Sequence, residues 1–427
     1  MNLKGLLQEN RQKILSLCYS VGALAVYNVI IQFYLYPSFA DKLGAERYGV
    51  ALSAISVCAI IACTCGAAVN NTRMLGLDKG RTNNGDYNLI LLLLCLLGGV
   101  VGIAYLFWLD MATPLTVLLY ALLIVITTVR YYADVEFRIK TDFFRYMLFY
   151  LLISVGYIVG VFLFKLTDQW MLAMILGELA AVVYVCIRGH IFRPPFFQKS
   201  AQFRPIFSGI GFLFISLLFE NIALHADRIL LLTITGDGTN VTVYYAASLV
   251  GKIVALLTVS VNALVISYLA RYQGGLHTKM WNIVIAVALV FGAVALGGCM
   301  LVSPWLIELL YHTDILQQAL RYLFPAILGQ ILYFISGVLV MFLLRFTGEK
   351  KQFIFNTAYL AEFLACVIVG TILFGMNGFV WSIVLANGIR FVGVVLWGII
   401  ESRRKKDDQT SGEALTEASL DEKEDFS

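Results

Sequence analysis

Charge is scarce in this chain: Asp, Glu, Lys and Arg make up 14% of its 427 residues, against 60% hydrophobic types. A soluble globular protein carries roughly 25% charged and 45–50% apolar residues. Surface area does not shrink fast enough with size for a soluble fold of this length to hide the excess, so the solvent for most of the chain is lipid. Histidine is rarer still, with four residues, no two of which share a helix face; a metal site is not expected. The eight cysteines, Cys18, Cys58, Cys63, Cys65, Cys95, Cys186, Cys299 and Cys366, all fall in or beside apolar runs. There they act as small hydrophobes, and neither disulfides nor metal are expected. No Gly-rich phosphate loop ending in Lys-Ser/Thr is present, which excludes self-powering by ATP. Ser-His-Asp and His-Glu-x-x-His arrangements are missing too, and no nucleic-acid partner is expected.

What is present is a series of long apolar runs. A span needs about 20 mostly apolar residues to cross a hydrocarbon core of roughly 30 Å. Backbone polar groups find no water there, which leaves helices or closed barrels; runs that are continuous rather than alternating favour helices. The predicted spans are 14–36, 48–69, 88–109, 114–133, 145–165, 169–187, 206–234, 241–268, 281–303, 322–344, 353–374 and 378–399. Lys4, Arg11 and Lys13 precede the first run, which is long enough to span and has no small-residue cleavage site after it, so it reads as a permanent helix. The fold class expected is an all-α polytopic membrane protein of about twelve transmembrane helices.

Loop charges give the spans a direction. One side holds Lys4, Arg11, Lys13, Arg73, Lys79, Arg81, Arg138, Lys140, Arg145, Arg188, Arg193, Lys199, Arg204, Arg271, Lys279, Arg345, Lys350, Lys351, Arg403, Arg404, Lys405 and Lys406. The other holds Lys42, Arg47 and Lys165, twenty-two against three. Both termini are therefore expected in the cytoplasm. One missed span would swap the sides of everything after it, so the asymmetry also supports the number twelve.

The spans divide into six and six. Expected are an N-terminal lobe at 1–190, a cytoplasmic linker at 191–205 carrying Pro194-Pro195, a C-terminal lobe at 206–400 and a disordered tail at 401–427 whose acidic end has no apolar residues at core spacing. The first outer hairpin of each half looks alike: Gly44 precedes Tyr48-x-x-Ala51, and Gly236 and Gly238 precede Tyr244-x-x-Ala247. An even number of spans per half puts both halves the same way up, related by a pseudo-two-fold along the membrane normal.

An ionisable group deep in a bilayer costs about 2.5–3.5 kcal/mol on insertion scales and is a functional hypothesis by default. Arg321 is read as snorkelling to the interface, and Arg130 as a local pair with Asp134, four residues on. Arg228, Lys252 and Arg390 are harder to dismiss. Asn221, His225 and Arg228 make one polar stripe, with Glu220 and Asp227 on an adjoining face; Lys252 has Ser248 and Tyr245 on its face; Arg390 has Asn387 three residues before it. Glu178 and Glu362 sit near the middle of spans six and eleven. Two readings stay open: pairing across helices as polar glue, or a cationic cavity for an anionic head group with a carboxylate to carry protons. His225 would titrate in the working pH range; His190, His277 and His312 lie in connections.

The hairpins carry a resemblance. "PSFADKLGAERYGVALS" (Pro37 to Ser53), "HADRILLLTITGDGTNVTVYYAASLVGKI" (His225 to Ile253) and "MNGFVWSIVLANGIRFV" (Met376 to Val392) resemble polysaccharide-biosynthesis flippases of the multidrug/oligosaccharidyl-lipid/polysaccharide exporter superfamily. The resemblance implies a bacterial inner-membrane, multi-pass transporter in two lobes, not an enzyme. It implies movement of an undecaprenyl-pyrophosphate-linked oligosaccharide repeat unit, as in O-antigen, lipopolysaccharide or exopolysaccharide assembly, by alternating access. No cofactor is implied beyond H⁺ or Na⁺ as a coupling ion. Arg228, Lys252 and Arg390 would hold the pyrophosphate; Asn221, His225, Tyr245, Ser248 and Asn387 would line the cavity; Asp227, Glu178, Glu220 and Glu362 are coupling candidates. Partners implied are the lipid-linked substrate, membrane lipids, and the glycan polymerase and chain-length machinery, around a monomer. The rivals are a drug/cation antiporter of the same superfamily and, from another class, a membrane glycan polymerase or ligase, which the short outer loops disfavour.

Overall fold

The computed structural model describes residues 18–424 apart from 272, 273, 312 and 348; the side chains of 78, 255–271, 313, 349–350 and 404–424 are outside the description, and with them His312. Among the described residues every regular element is helical. In chain order these are α1 (18–43), α2 (45–76), α3 (Asn84–Trp108), α4 (Pro114–Ala133), the short α5 (Val135–Ile139), α6 (Phe143–Thr167), α7 (Trp170–Arg188), α8 (Phe203–Thr235), α9 (Gly238–Arg271), α10 (Thr278–Leu310), α11 (Thr313–Thr347), α12 (349–374) and α13 (376–424). Nine helical stretches are long and apolar enough to cross a membrane. Two of these, Cys18–Gly76 and Lys351–Arg403, each hold two helices broken at a glycine, and α9 adds a 34-residue helix. Twelve crossings result, in the order expected.

Local chemistry sets the ends. Asn83 caps α3 by accepting from the Gly85 N–H; Thr113 and Thr116 form a reciprocal capping box ahead of α4 with Pro114 in its first turn; Asp142 caps α6 through the Arg145 N–H. The breaks fall at Gly44 (φ 74°, ψ 167°) and Gly375 (φ 60°, ψ −139°), backbone that side chains with a Cβ rarely adopt. One boundary differs from expectation. Pro37 does not end the first helix, because a π-turn at Ile31–Leu35 precedes it and Ser38 Oγ donates to the Tyr34 carbonyl at 2.7 Å, and the helix runs on to residue 43. The segment after Glu401, expected to be disordered, continues in helix to Glu424; Lys, Glu, Ala and Leu recur there and are strong helix formers.

Lipid inverts the usual packing rule. On α3 the large residues Leu92, Leu93, Leu96, Leu97, Val100 and Val101 are exposed, while Cys95, Gly98, Gly99 and Gly102 are buried. Likewise α6 meets α7 where Gly156 abuts Gly177 and Gly160 abuts Ala173. Small residues let helix backbones approach where no hydrophobic effect drives them together.

Contacts divide the chain into two compact units, Met1–Thr242 and Val243–Ser427. The contact boundary falls within the first turns of α9. Helix α8 packs along α2, with Asn221 Nδ2 donating to Thr64 Oγ1 at 3.2 Å, so it belongs by contact to the first unit. The two hairpins that look alike in sequence meet there: Gly49 lies against the Gly238 backbone, and Thr242 Oγ1 donates to the Ala45 carbonyl at 2.6 Å. In the second unit Leu276, Trp281, Leu339, Val340, Leu343 and Val394 form a buried cluster, with Trp281 Nε1 donating to the Val395 carbonyl at 3.2 Å. Replacing Gly375 by Val should cost about 1–3 kcal/mol of backbone strain. A thermal melt in detergent should show this, whereas Gly297→Val, at a position open for a Cβ, should melt like the wild type.

Candidate functional site

Two of the buried guanidinium groups, those of Arg130 and Arg390, are held in opposite ways. In the first unit, Arg130 on α4 reaches Glu178 on α7: Nε is 2.5 Å from Oε2 and Nη2 is 3.2 Å from Oε1. This side-on fork matches the planar guanidinium to both carboxylate oxygens. Tyr157 on α6 donates to Glu178 Oε1 at 2.6 Å, and Arg130 Nη2 donates to Tyr27 Oη on α1 at 3.2 Å. The Tyr131 ring centroid lies 3.7 Å from the guanidinium carbon. Both side chains are almost fully enclosed, 3% and 1% exposed.

This corrects the local Arg130–Asp134 pair expected from spacing. Asp134 accepts instead from Asn70 and from Tyr150 Oη, with Arg138 Nη1 3.8 Å away. Four-residue spacing makes two side chains neighbours on a helix surface, but Arg130 points into the bundle, where a carboxylate from another helix meets it.

In the second unit, Arg390 on α13 is 8% exposed and has no carboxylate in ion-pair reach among the described residues. Its guanidinium carbon lies 4.6 Å from the Tyr333 ring centroid and 4.4 Å from that of Tyr359; the two rings are 6.2 Å apart. Nε and Nη1 have no hydrogen-bond acceptor. Asn387 braces this arrangement: it accepts from Tyr359 Oη at 2.8 Å and donates to the Gly329 carbonyl at 3.0 Å, tying α13 to α12 and α11.

The other expected residues are placed as follows. Arg228 is buried and its Nη1 donates to Ser56 Oγ on α2 at 3.3 Å; Asp227 accepts from the Arg228 N–H at 2.8 Å. Asn221 is buried against α2, His225 is half-buried and Glu220 is exposed. Lys252 is half-buried with Nζ 5.2 and 5.5 Å from the Tyr244 and Tyr245 ring centroids; Tyr245 and Ser248 are fully buried. Glu362 is half-buried and accepts from Cys366 Sγ at 3.5 Å. Arg228 and Asp227 thus belong to the first unit, Lys252, Glu362 and Arg390 to the second. Among the described residues no three His, Cys, Asp or Glu side chains are grouped to hold a metal.

Sequence reasoning missed Tyr27, Tyr157, Tyr333 and Tyr359. For the first pair a signal existed: a deep base in the first half needs a deep acid there, and Glu178 is the one such residue. For the second pair nothing distinguished these tyrosines from others in apolar runs. A cavity of about 270 Å³ lies apart from both guanidinium groups, lined by Arg81, Asn83, Asp86, Ser200 and Gln202 among others.

No protein-family model and no curated protein matches the chain. Solved structures do. One described as the inward-facing conformation of a multidrug resistance MATE family transporter of the MOP superfamily is 17% identical, covers 90% of this chain and 95% of its own, and superposes with TM-score 0.66. The lipid II flippase MurJ in an inward closed conformation is 13% identical over 90% and 87%, with TM-score 0.68. A MOP superfamily transporter from Pyrococcus furiosus, whose binding pocket is described as reversed in polarity, is 15% identical over 92% and 95%, with TM-score 0.61. At these identities the likeness establishes the fold: a multi-pass, all-α membrane architecture shared with MOP superfamily transporters.

Breaking a buried pair on one side costs about 3–5 kcal/mol, because the remaining charge is stranded. Glu178→Ala or Arg130→Met alone should therefore abolish the folded peak in fluorescence-detected size exclusion, and the double variant Arg130→Met/Glu178→Leu should recover most of it.

Proposed function

We propose that the protein is a flippase that moves an undecaprenyl-pyrophosphate-linked oligosaccharide repeat unit across the bacterial cytoplasmic membrane by alternating access. The observation that carries this reading is Arg390: a buried guanidinium held by two tyrosine faces, with no acid in ion-pair reach among the described residues and two N–H donors without acceptors there. A pyrophosphate needs cations, and Arg suits its geometry. Lys252, half-buried in the same unit, is the further cation proposed for the head group there, and Arg228 is proposed as a phosphate-binding cation of the first unit. The fold supports a transporter, and its solved neighbours include the lipid II flippase MurJ as well as a multidrug resistance MATE family transporter. The basic loop end is proposed to face the cytoplasm, with both termini.

Coupling to H⁺ or Na⁺ is part of the proposal, and the carboxylates differ in fitness for it. Protonating Glu178 would dismantle its fork and strand Arg130. Glu362 accepts a single weak bond from Cys366 and is the better candidate; Asp227 and Glu220 follow. The rival reading, a drug/cation antiporter, is favoured by the MATE structures among the neighbours. It is disfavoured by the first unit's deep carboxylate being already matched to an arginine.

In a strain depending on this protein, Arg390→Gln should cut surface glycan at least about tenfold, the loss of one charge-assisted phosphate contact, while immunoblots show unchanged protein. Lys252→Gln and Arg228→Gln should act alike. Loss of the protein itself would return these residues to a structural role. A deletion should accumulate single lipid-linked repeat units on the cytoplasmic leaflet; accumulation on the outer leaflet would indicate a polymerase, and altered resistance to cationic drugs with normal glycan an antiporter.

A further inference from the structure

The segment between α7 and α8 carries two apolar pairs, and folding uses one of them. Ile191 is buried and Phe192 packs edge-to-face on Tyr132, centroids 5.9 Å apart. Phe196 and Phe197 are instead 51% and 60% exposed. They are not the residue of a poorly held loop, because the backbone on either side is fixed to the first unit. Asn84 Nδ2 donates to the His190 and Arg193 carbonyls at 2.9 and 3.0 Å, and Asn83 Nδ2 to the Gln198 carbonyl at 3.1 Å. The Ser200 N–H donates to Asp86 Oδ1 at 2.8 Å, and the His190 and Ile191 N–H groups to Glu136 Oε2 at 3.0 and 3.1 Å. The result is a strap whose two phenyl rings are held outward.

The charges around the rings carry one sign. Arg188, Arg193, Lys199 and Arg204 are all exposed, and no Asp or Glu occurs between 188 and 204. The acids that hold the strap, Asp86 and Glu136, are themselves buried and engaged by Ser200, Lys140 and the strap N–H groups, so they face inward. The strap joins the end of one helix long and apolar enough to cross a membrane to the start of another, so it lies just beyond the apolar stretches of both. Aromatic rings ringed by cations at that depth match the boundary of an anionic bilayer.

We propose that the strap, residues 189–202, is a recognition surface for anionic phospholipid: Phe196 and Phe197 seat at the acyl boundary while Arg193 and Lys199, flanked by Arg188 and Arg204, hold lipid phosphates. A protein partner would have to bring acids to meet the same cations; the apolar tips beside them choose the bilayer, which supplies phosphate and hydrocarbon at adjoining depths. Through Asn83, Asn84 and Asp86, lipid composition is thereby linked to the loop that starts α3. The inference rests on the membrane fold and not on the identity of the cargo.

Two measurements on the full-length protein test it. Benzoylphenylalanine placed at Phe197 and irradiated in native membranes should yield an adduct of one phospholipid mass; an adduct with another polypeptide would overturn the proposal. Native mass spectrometry from nanodiscs of equal phosphatidylglycerol and phosphatidylcholine should show phosphatidylglycerol retained by the wild type. Arg193→Gln/Lys199→Gln should lower that retention about tenfold, and the charge-conserving Arg193→Lys should preserve it. Equal retention by the Gln variant and the wild type would also overturn the proposal, and because these side chains are exposed the variant is expected to elute as folded.

Discussion

A charge that leaves water must be answered by something, and in a hydrocarbon core the protein is the only thing at hand. This constraint separates two of the buried arginines, Arg130 and Arg390. Arg130 is answered in kind by the Glu178 carboxylate, with both oxygens used and Tyr157 completing the acceptor. Arg390 is answered by two aromatic faces. A desolvated cation–π contact is worth about 2 kcal/mol, and placing Arg at the centre of a membrane helix costs about 2.5–3.5 kcal/mol on insertion scales. Two rings therefore offset the cost of the site without cancelling its charge. The first arrangement neutralises the charge and ties helices together; the second offsets the burial and leaves the charge in place.

The same economy shapes the polar work outside the core. At the loop end of the first unit, Asn83, Asn84, Asp86 and Glu136 satisfy backbone groups of the strap, which has no helix to satisfy them itself. Arg73 joins this network by donating to Tyr132 and Asn84. At the other end of the same helices the ion pair of Lys42 with Asp168, at 2.5 Å, is more exposed. The first unit is thus cross-braced at its basic end, so a chain that alternates access would have its stiff part there.

How much of this was readable in the sequence depends on range. Span number and order were legible, because hydropathy and loop charge are local, and α4 begins and ends where its Pro114 and the run of apolar residues put it. The breaks at Gly44 and Gly375 were legible as loops for the same reason. The end of the first span, expected at 36, was not legible, since whether the helix runs on through Pro37 depends on how the preceding carbonyls find donors. Among the site residues, Arg130, Glu178, Arg228, Lys252 and Arg390 all stood out as ionisable at depth, but not which of them were already matched. The Arg130 partner lies 48 residues away along the chain, and a four-residue neighbour was the nearer guess. Nor did the sequence show that α8 packs with the first unit, because that depends on Thr64 and Ser56 of α2 offering hydroxyls to Asn221 and Arg228.

Matching, more than the presence of charge, is what separates the functional readings. A cation exporter needs carboxylates free to exchange a proton for cargo, and the buried Glu178 carboxylate of the first unit is bound on both oxygens. A carrier of an anionic head group needs the reverse, a cation whose burial is stabilised by groups that do not compete for the ligand. Tyrosine faces meet that requirement, because a ring attracts a guanidinium through its quadrupole yet leaves the N–H edges open to an acceptor. Asn387 then has a purpose beyond its own bonds: by holding Tyr359 through Oη and Gly329 through Nδ2 it keeps one ring in place beside Arg390 whether or not an anion is bound.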